Sequence, residues 1–338
     1  MKVGVYFDLR NPPQWRRDPV ELYGSFLELC EEAESVGLDT IWVTEHHGFD
    51  DDYLPTPLTL LAAVAARTQR VRLGTAIVVS PLHAAAEIAE QAAVVDLLSG
   101  GRLDLGLGAG YRSPEFDLYA ADMESRYRVN DARPAEIRKL WESRAVTPAP
   151  AQERVPIWMG YLGPKGARRA GRMGENLLSI DARNWPHYRQ GLIEGGHDPA
   201  LGVMGGAAQG WVSDDPERDW QMVGQHLAAQ SDSYRRHARM GTDFPFPKPV
   251  DPDRLRERRP LTHSGIDYFV HGTAQDMADF VAEHTAGAPV ETLYLWAGLP
   301  GMAPETVAQH IRRIGADLAP RLRAAERPLS RPDSRPRG

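Results

Sequence analysis

The sequence predicts a single (β/α)₈ barrel of the TIM type, and three observations lead to this fold class. Short runs of β-branched and aromatic residues alternate eight times with amphipathic segments, which is the pattern of parallel strands joined by helices. The chain of 338 residues has a suitable length for one such barrel. Glycine follows several amphipathic segments, as at Gly37 and Gly100, where a helix must stop.

The predicted strands lie at residues 3–8, 39–44, 71–79, 103–107, 155–159, 176–180, 205–212 and 292–296. The predicted helices lie at residues 20–36, 57–67, 83–98, 131–141, 165–173, 216–237, 273–284 and 304–318, with a weaker one after Trp185. Residues 1–320 therefore form the predicted barrel domain. Residues 241–267 are rich in Pro, Asp and Arg, so we interpret them as an insertion loop before the last unit. Residues 321–338 are predicted to be a flexible tail.

The composition and net charge of the chain reduce the number of binding-partner classes that we expect. The formal net charge is −7, and an acidic protein repels phosphate backbones and anionic lipids, so we expect neither a nucleic acid nor a membrane as partner. Cys30 is the only cysteine, so no internal disulfide can form, which suits a reducing compartment. The first residues lack the basic region and long apolar region of a signal peptide, and we expect a cytoplasmic protein.

Polar residues at the end of the second predicted strand are the first candidates for chemistry, because barrel enzymes carry their active sites at the carboxyl ends of the strands. Glu45, His46 and His47 follow one another there. Neighbouring side chains on a strand point to opposite faces, and the spacing matches no zinc motif, so no metal is expected. An imidazole at this position can exchange protons near neutral pH. The alternative is a pair of histidines that only makes local hydrogen bonds in a loop.

Two segments with several glycines follow later strands. Gly106, Gly108 and Gly110 alternate at the end of strand four, where missing side chains would let a flat ring approach the backbone. This alternation is not the G-x-G-x-x-G pattern of dinucleotide folds. After strand five, the run MGYLGPKGARR places free N–H groups at a helix start, which favours phosphate binding, and Lys165 or Arg168 can add charge.

Four segments of the chain resemble the luciferase-like, flavin-utilising monooxygenases. They are WVTEHHG, ARTQRVRLGTAIVV, EIAEQAAVVDLLSGGRLDLGLGAGYR and PIWMGYLGPKGARRAGRMG. The resemblance is dense over about the first 180 residues, and the order and spacing of the segments are more specific than any one segment. It implies a (β/α)₈ barrel that binds reduced FMN or a 5-deazaflavin coenzyme at its mouth and often works as a dimer.

The resemblance also assigns roles to individual residues. It implies that His46 is the active-site histidine beside the flavin ring, and that Glu45 is the acidic residue preceding it. The implied cofactor-binding residues are Ala76 and Ile77 at a non-prolyl cis peptide, Gly108 and Ala109 on the fourth strand, Arg126 at the phosphate, and Gly160, Leu162, Gly163 and Gly166 in the anion-binding turn. Ala109 stands where related luciferases can carry a phosphate-binding Arg, so backbone amides must make more of the contacts with the flavin phosphate.

These expectations predict a flavin-dependent monooxygenase that uses reduced FMN and O₂ to oxygenate a small organic substrate. A separate reductase would supply the reduced FMN, because the sequence indicates no second dinucleotide-binding domain. A deazaflavin-dependent reductase or dehydrogenase is the alternative enzyme, and a flavin-binding homologue without turnover is the alternative outside catalysis. We also expect a homodimer. The aromatic residues Trp15, Phe49, Tyr53 and Tyr111 are candidates for the wall of the substrate pocket, with positions in the core as the alternative. Residues 241–267 are the candidate lid, with a disordered loop as the alternative.

Overall fold

The computed structural model describes residues 1–256 and 269–324, and parallel strands form its centre. The strands are β1 (Lys2–Phe7), β2 (Thr40–Val43), β3 (Arg72–Thr75), β4 (Val78–Val79), β5 (Leu103–Gly108), β6 (Ile157–Met159), β7 (Asn176–Leu178), β8 (Met204–Ala208), β9 (Gly210–Val212), β10 (Val270–Gly272) and β11 (Val290–Trp296). Neighbours pair in the order β3-β2-β1-β11-β8-β7-β6-β5-β4, and β3 also pairs with β5, which closes the ring. The short strands β3 and β4 follow each other in the chain and together occupy one position in the barrel, since both pair with β5. The barrel therefore has eight strand positions, and the predicted (β/α)₈ fold is confirmed.

Helices connect the strands. They are α1 (Pro19–Ser35), α2 (Pro57–Arg67), α3 (Ala85–Ser99), α4 (Ser113–Leu118), α5 (Arg126–Glu142), α6 (Gly163–Met173), α7 (Trp185–Glu194), α8 (Pro216–His237), α9 (Pro252–Leu255), α10 (Ala274–His284), α11 (Pro304–Arg313) and α12 (Ala319–Ala324). Within the described residues, no helix is long and apolar enough to cross a membrane.

Local signals explain where several helices begin and end. The Asp18 side chain accepts hydrogen bonds from the N–H groups of Val20 and Glu21, and so caps α1. Thr273 and Asp276 form a reciprocal capping box at the start of α10. Gly100 ends α3 in the left-handed conformation with φ of 66°, which glycine adopts without a steric penalty.

Aromatic rings fill the upper interior of the barrel. Alternate residues on each strand point inward, and Tyr6, Trp42, Trp158, Tyr294 and Trp296 form one buried cluster there. The ring of Trp42 stacks on Tyr294 at a centroid distance of 4.8 Å and meets Trp158 edge-on at 5.9 Å. A Cβ atom at Gly74 would lie 2.2 Å from the Trp42 ring, so glycine at this position makes room for the indole. The rings form a rigid, water-excluding floor below the barrel mouth.

Two predicted strands are divided in the structure. The run at residues 71–79 is interrupted between β3 and β4, where the Ala76–Ile77 peptide bond is cis. The run at residues 205–212 divides at Gln209, and its second part, β9, leaves the barrel and pairs with β10 in a separate two-stranded sheet. The strand β10 was not predicted. Composition does not reveal the first division, because β-branched and small residues continue through it, and a single polar residue, Gln209, marks the second.

The structure also revises the ends of the predicted domain. Residues 321–324 belong to α12 and are not a tail, because Leu322 is buried against the barrel domain's core. Residues 325–338 lie outside the described residues. In the predicted insertion, residues 252–255 form α9 with Leu255 buried, and residues 257–267 lie outside the described residues. None of the described residues of this insertion lines the two cavities at the barrel mouth, so the lid stays a hypothesis.

Candidate functional site

Two adjoining cavities open at the carboxyl ends of the barrel strands. The first has a volume of about 560 Å³ and lies beyond β2, β5 and β6. The second has a volume of about 790 Å³ and lies beyond β7 and β8. Both are lined by Tyr6, Ala76, Ile77, Gly160, Tyr161 and Leu162, so they meet over the cis peptide bond. Cavities of this size and position accommodate cofactors and small substrates in barrel enzymes.

A histidine–carboxylate pair stands in the wall of the first cavity. The Nδ1 atom of His46 lies 2.8 Å from Oε1 of Glu115, which follows β5 on the short helix α4. The same oxygen accepts hydrogen bonds from the His47 backbone N–H at 3.0 Å and from Arg112 at 2.9 Å. The other ring nitrogen of His46, Nε2, lies 3.5 Å from the Tyr111 hydroxyl, which also lines the cavity.

The electrostatic environment favours a neutral His46 beside an ionised Glu115. Burial lowers the pKa of His46, although the hydrogen bond and charge of Glu115 oppose this effect. Burial alone would raise the pKa of Glu115, but the hydrogen bond from His46, the His47 N–H and Arg112 together hold it below its ordinary value. An ionised carboxylate can only accept hydrogen bonds, so the proton of neutral His46 lies on Nδ1 and is donated to Glu115. The other ring nitrogen, Nε2, therefore keeps its lone pair. The arrangement presents a proton acceptor toward the cavity.

Glu45 precedes His46 in the chain, but its hydrogen bonds join it to His47, His83 and Val79. Its Oε1 accepts from Nε2 of His47 at 2.8 Å and from Nε2 of His83 at 2.7 Å, and its Oε2 accepts from the Val79 N–H at 2.9 Å. Glu45 is 2% exposed, so these contacts satisfy a buried charge. His46 is therefore oriented by Glu115, while Glu45 and His47 belong to a second cluster.

The glycines at the barrel mouth make room for a protein side chain. A Cβ atom at Gly108 or at Gly160 would lie 2.6 Å from a side-chain carbon of Ile77. A Cβ atom at Gly166 would lie 2.6 Å from the Cβ atom of Tyr161. These glycines thus let Ile77 and Tyr161 pack at the junction of the two cavities. The approach of a flat ring to the backbone at Gly108 stays a prediction.

Positive charge is concentrated at one end of the first cavity. Lys165 and Arg169 project from the first two turns of α6 and line the cavity, and no side chain caps the start of that helix. Arg169 donates to Asp131 at 2.6 Å, and Tyr161 donates to the other oxygen of Asp131. Arg168 instead pairs with Glu194 on α7, outside the cavity. This end offers two cations and a helix start to an anion.

Tyrosine rings form the opposite wall, and a buried arginine supports them. Tyr53 and Tyr234 line the cavity and their hydroxyl groups lie 2.8 Å apart. The guanidinium of Arg10 lies 4.4 Å from the Tyr53 ring centroid and 3.9 Å from that of Tyr234. It also pairs with Asp8 at 3.0 Å, so a buried ionic group fixes the wall.

The structure brings nearly all of the predicted site residues to the two cavities. Those that line them are Glu45, His46, Ala76, Ile77, Gly108, Ala109, Gly160, Leu162, Gly163 and Gly166. Arg126 does not line either cavity, because its guanidinium donates to the Met123 carbonyl at 2.8 Å and lies over the Tyr127 ring. Sequence reasoning missed Glu115 and Arg169. An acidic residue just beyond the glycines of β5, and a second Arg next to Arg168, were the available signals.

Comparison with known proteins places these features in context. A family model described as luciferase-like monooxygenase matches residues 1–314. The oxygenase component of the flavin-dependent trigonelline monooxygenase of Acinetobacter baylyi is 32% identical over 174 residues, which are 46% of this chain and 48% of that protein. This chain therefore spans about half the length of that relative.

Two further relatives match over more of their length. The F420-dependent glucose-6-phosphate dehydrogenase of Amycolatopsis mediterranei is 30% identical over 308 residues, which are 76% of this chain and 91% of that protein. The structure of monooxygenase RslO1 from Streptomyces bottropensis superposes with a TM-score of 0.75 at 23% identity, covering 95% of this chain and 99% of that one. A flavin-dependent enzyme component and an F420-dependent enzyme are thus both among the proteins that this chain resembles.

Proposed function

Since the chain belongs to the luciferase-like monooxygenase family, we propose that it is a flavin-dependent monooxygenase of small organic substrates. In this proposal a separate reductase supplies reduced FMN, and O₂ is the second substrate. The observation that carries the proposal is the His46–Glu115 pair, which faces a cavity bounded by the Ala76–Ile77 peptide and by the cations of α6. A protein of this kind would work in the cytoplasm.

The residues of the first cavity fit a flavin phosphate and ring. Lys165, Arg169 and the uncapped start of α6 would hold the phosphate. The cis peptide at Ala76–Ile77 and the aromatic floor at Tyr6 would bound the ring and exclude water. When bound, reduced flavin would supply the electrons that activate dioxygen, whereas an oxidised deazaflavin would accept a hydride from a substrate.

The role of this chain is then to bind, orient and manage protons. Glu115 fixes the ring of His46 through Nδ1, so that Nε2 can take or give a proton inside the cavity. Tyr111 lies beside that nitrogen and can share the proton. The substrate would lie against Tyr53, Tyr111 and Tyr234, where aromatic and apolar groups pack well.

One observation favours a second candidate, a deazaflavin-dependent dehydrogenase. The F420-dependent relative matches 76% of this chain, more than the trigonelline monooxygenase component matches. In that case His46 would accept the proton of a hydroxyl group as hydride passes from the substrate carbon to an oxidised deazaflavin.

Anaerobic titration with each reduced cofactor, followed by rapid mixing with O₂, tests the two candidates. We expect reduced FMN to bind at least about tenfold more tightly than reduced deazaflavin, a difference of about 1.4 kcal/mol, and to be oxidised while bound. Tighter binding of the deazaflavin, with no reaction of its reduced form with O₂ and with reduction of its oxidised form by an alcohol, would support the dehydrogenase instead. If neither cofactor binds, both proposals fail.

The anion contact gives a sharper test of cofactor placement. Lys165→Ala and Arg169→Ala are each expected to weaken FMN binding about tenfold, the usual scale for one charge-assisted contact. Arg168→Ala is the matched control, because its guanidinium pairs with Glu194 outside the cavity. Affinities follow from fluorescence titration. A larger loss in Arg126→Ala than in both cavity variants would place the phosphate at Arg126, as the sequence resemblance implied.

We also propose a homodimer. The helix α3 exposes a set of apolar side chains, namely Val94 (42%), Leu97 (45%) and Leu98 (55%), which a second copy could cover. Light scattering at micromolar concentration should give twice the chain mass, and Leu97→Glu should halve it. A wild-type mass of one chain would rule out this assembly.

A further inference from the structure

We propose that Glu45, His47 and His83 form a binding site for one divalent transition metal ion of the zinc type. This site goes beyond the proposed flavin chemistry and does not depend on it. The Oε1 atom of Glu45 and the Nε2 atoms of His47 and His83 face one another, and all three lie within 4.8 Å. Two imidazoles and one carboxylate are a common set of three protein ligands for zinc.

The distances require only a small adjustment for metal binding. Glu45 Oε1 lies 2.8 Å from His47 Nε2 and 2.7 Å from His83 Nε2. Ligand atoms at about 2.0–2.2 Å from a tetrahedral zinc ion lie roughly 3.3 Å apart, so these two separations must widen by about 0.5 Å, while the two imidazole nitrogens lie within 4.8 Å of each other. An ion in this position would replace the two imidazole protons that now point at one carboxylate oxygen.

The outer atoms of Glu45 and His47 already have hydrogen-bond partners of the kind that orient metal ligands. Nδ1 of His47 lies 3.1 Å from the Tyr119 hydroxyl. Oε2 of Glu45 accepts from the Val79 N–H at 2.9 Å, whereas the Glu87 carboxylate lies 3.8 Å from Nδ1 of His83, beyond hydrogen-bond distance. Such contacts fix the tautomer of a ligating histidine, with Nδ1–H outward and Nε2 free for the metal.

A small cavity supplies an entry route and an open coordination position. It has a volume of about 50 Å³, lies between α2 and α3, and is lined by Glu45, His83 and Glu87. A space of this size holds water, which can complete the coordination. His47 comes from the end of β2 and His83 from the segment after β4, so the ion would cross-link two loops of the barrel mouth.

The sequence did not predict this site, because its spacing resembles no metal motif. Glu45 and His47 are two residues apart and share one face, whereas His46 points to the other. The third ligand lies 36 residues beyond His47 in the chain and comes close only when β2 and β4 take their places in the barrel.

Metal titration of the cofactor-free, full-length protein tests the proposal. After treatment with a chelator, the wild type should bind about one Zn²⁺ per chain, with a raised Tm, and Co²⁺ should give the visible absorption of a tetrahedral site. His83→Gln keeps a hydrogen-bond donor for Glu45 but offers only an amide to the ion, and should weaken binding more than tenfold. Tyr119→Phe should weaken it about tenfold through lost orientation of His47.

His197→Ala is the control for adventitious binding, since this exposed histidine lies on another part of the surface and the substitution should change neither affinity nor Tm shift. Equal Zn²⁺ affinity in the wild type and in His83→Gln would overturn the proposal, as would a wild type whose Tm does not respond to Zn²⁺. Either result would show that the three residues form only a hydrogen-bonded cluster.

Discussion

Replacing His46 by alanine is expected to slow oxidation of the bound reduced cofactor about 10²–10⁴-fold, the usual range for a lost general acid or base. The reason is that Nε2 of His46 is the proton acceptor that Glu115 holds toward the cavity. Cofactor affinity should change far less, because the cations of α6 lie at the other end of the site. Single-turnover mixing with O₂, together with fluorescence titration, separates the two quantities.

Glu115→Gln provides a second test, the pH dependence of the rate. This dependence should not change if His46 has only a structural role. Glu115 raises the pKa of His46 against the lowering effect of burial, so its neutralisation should lower that pKa further. The acidic limb of the rate profile, where His46 becomes protonated, should therefore shift to lower pH. His197→Gln, at an exposed site, should leave the profile unchanged.

If His46 only braces the loop, His46→Ala would lower stability by about 1–3 kcal/mol and leave the rate per folded molecule intact. A wild-type rate in folded His46→Ala, or an unshifted acidic limb in Glu115→Gln, would refute the proton-transfer role.

Arg10→Met is expected to cost about 3–5 kcal/mol of unfolding free energy, because it leaves buried carboxylates without their cation. The Arg10 guanidinium pairs with Asp8 at 3.0 Å and Asp51 at 3.6 Å, and all three side chains are at least nine-tenths buried. It also holds the rings of Tyr53 and Tyr234. Urea unfolding followed by circular dichroism measures the loss.

The pH dependence of this loss has a predicted sign. Burial raises the pKa of Asp8 to about 6 even with Arg10 opposing it. A raised pKa in the folded state favours folding at low pH, and that contribution disappears as the pH rises through the folded value. In Arg10→Met the Asp8 carboxyl can protonate to avoid an unpaired charge, so the difference from wild type should be smaller at about pH 5 than at about pH 8.

Arg16→Met is the matched control, because it removes an exposed pair with Asp52 at 3.1 Å in which both side chains are about half exposed. Surface pairs contribute at most about 1 kcal/mol, so its midpoint should stay close to wild type. Equal losses in the two variants would contradict the role assigned to the buried arginine.

The fold was predictable because its signals are local. Eight alternations of strand and helix patterns repeat along the chain, and the predicted helix bounds at 57–67 and 216–237 match the structure residue for residue. Where prediction failed, the deciding contacts are distant in sequence. The strand β9 leaves the barrel because it pairs with β10, about 60 residues further on, and the Val212 N–H donates to His310.

The same distinction between local signals and distant contacts applies to the candidate site. Position on the chain predicted that residues at the end of β2 lie at the barrel mouth, and the family resemblance pointed to His46 and to the turn at Gly160–Gly166; the structure places these residues along the two cavities. It could not show that Glu115 rather than Glu45 orients His46, because the neighbour in sequence and the neighbour in space are different carboxylates. It also could not show that Arg169 and Lys165 face the cavity while Arg168 and Arg126 do not.

Periodicity and motif spacing thus determine which elements form and which strand ends meet at the mouth, since both depend on short stretches of chain. Tertiary structure decides which side chain faces which. Barrel closure brings Glu115 to His46, and His83 to Glu45, from segments 69 and 38 residues away. Such pairings depend on strand register and helix rotation, and one residue of difference in either turns a side chain from the cavity to the outside.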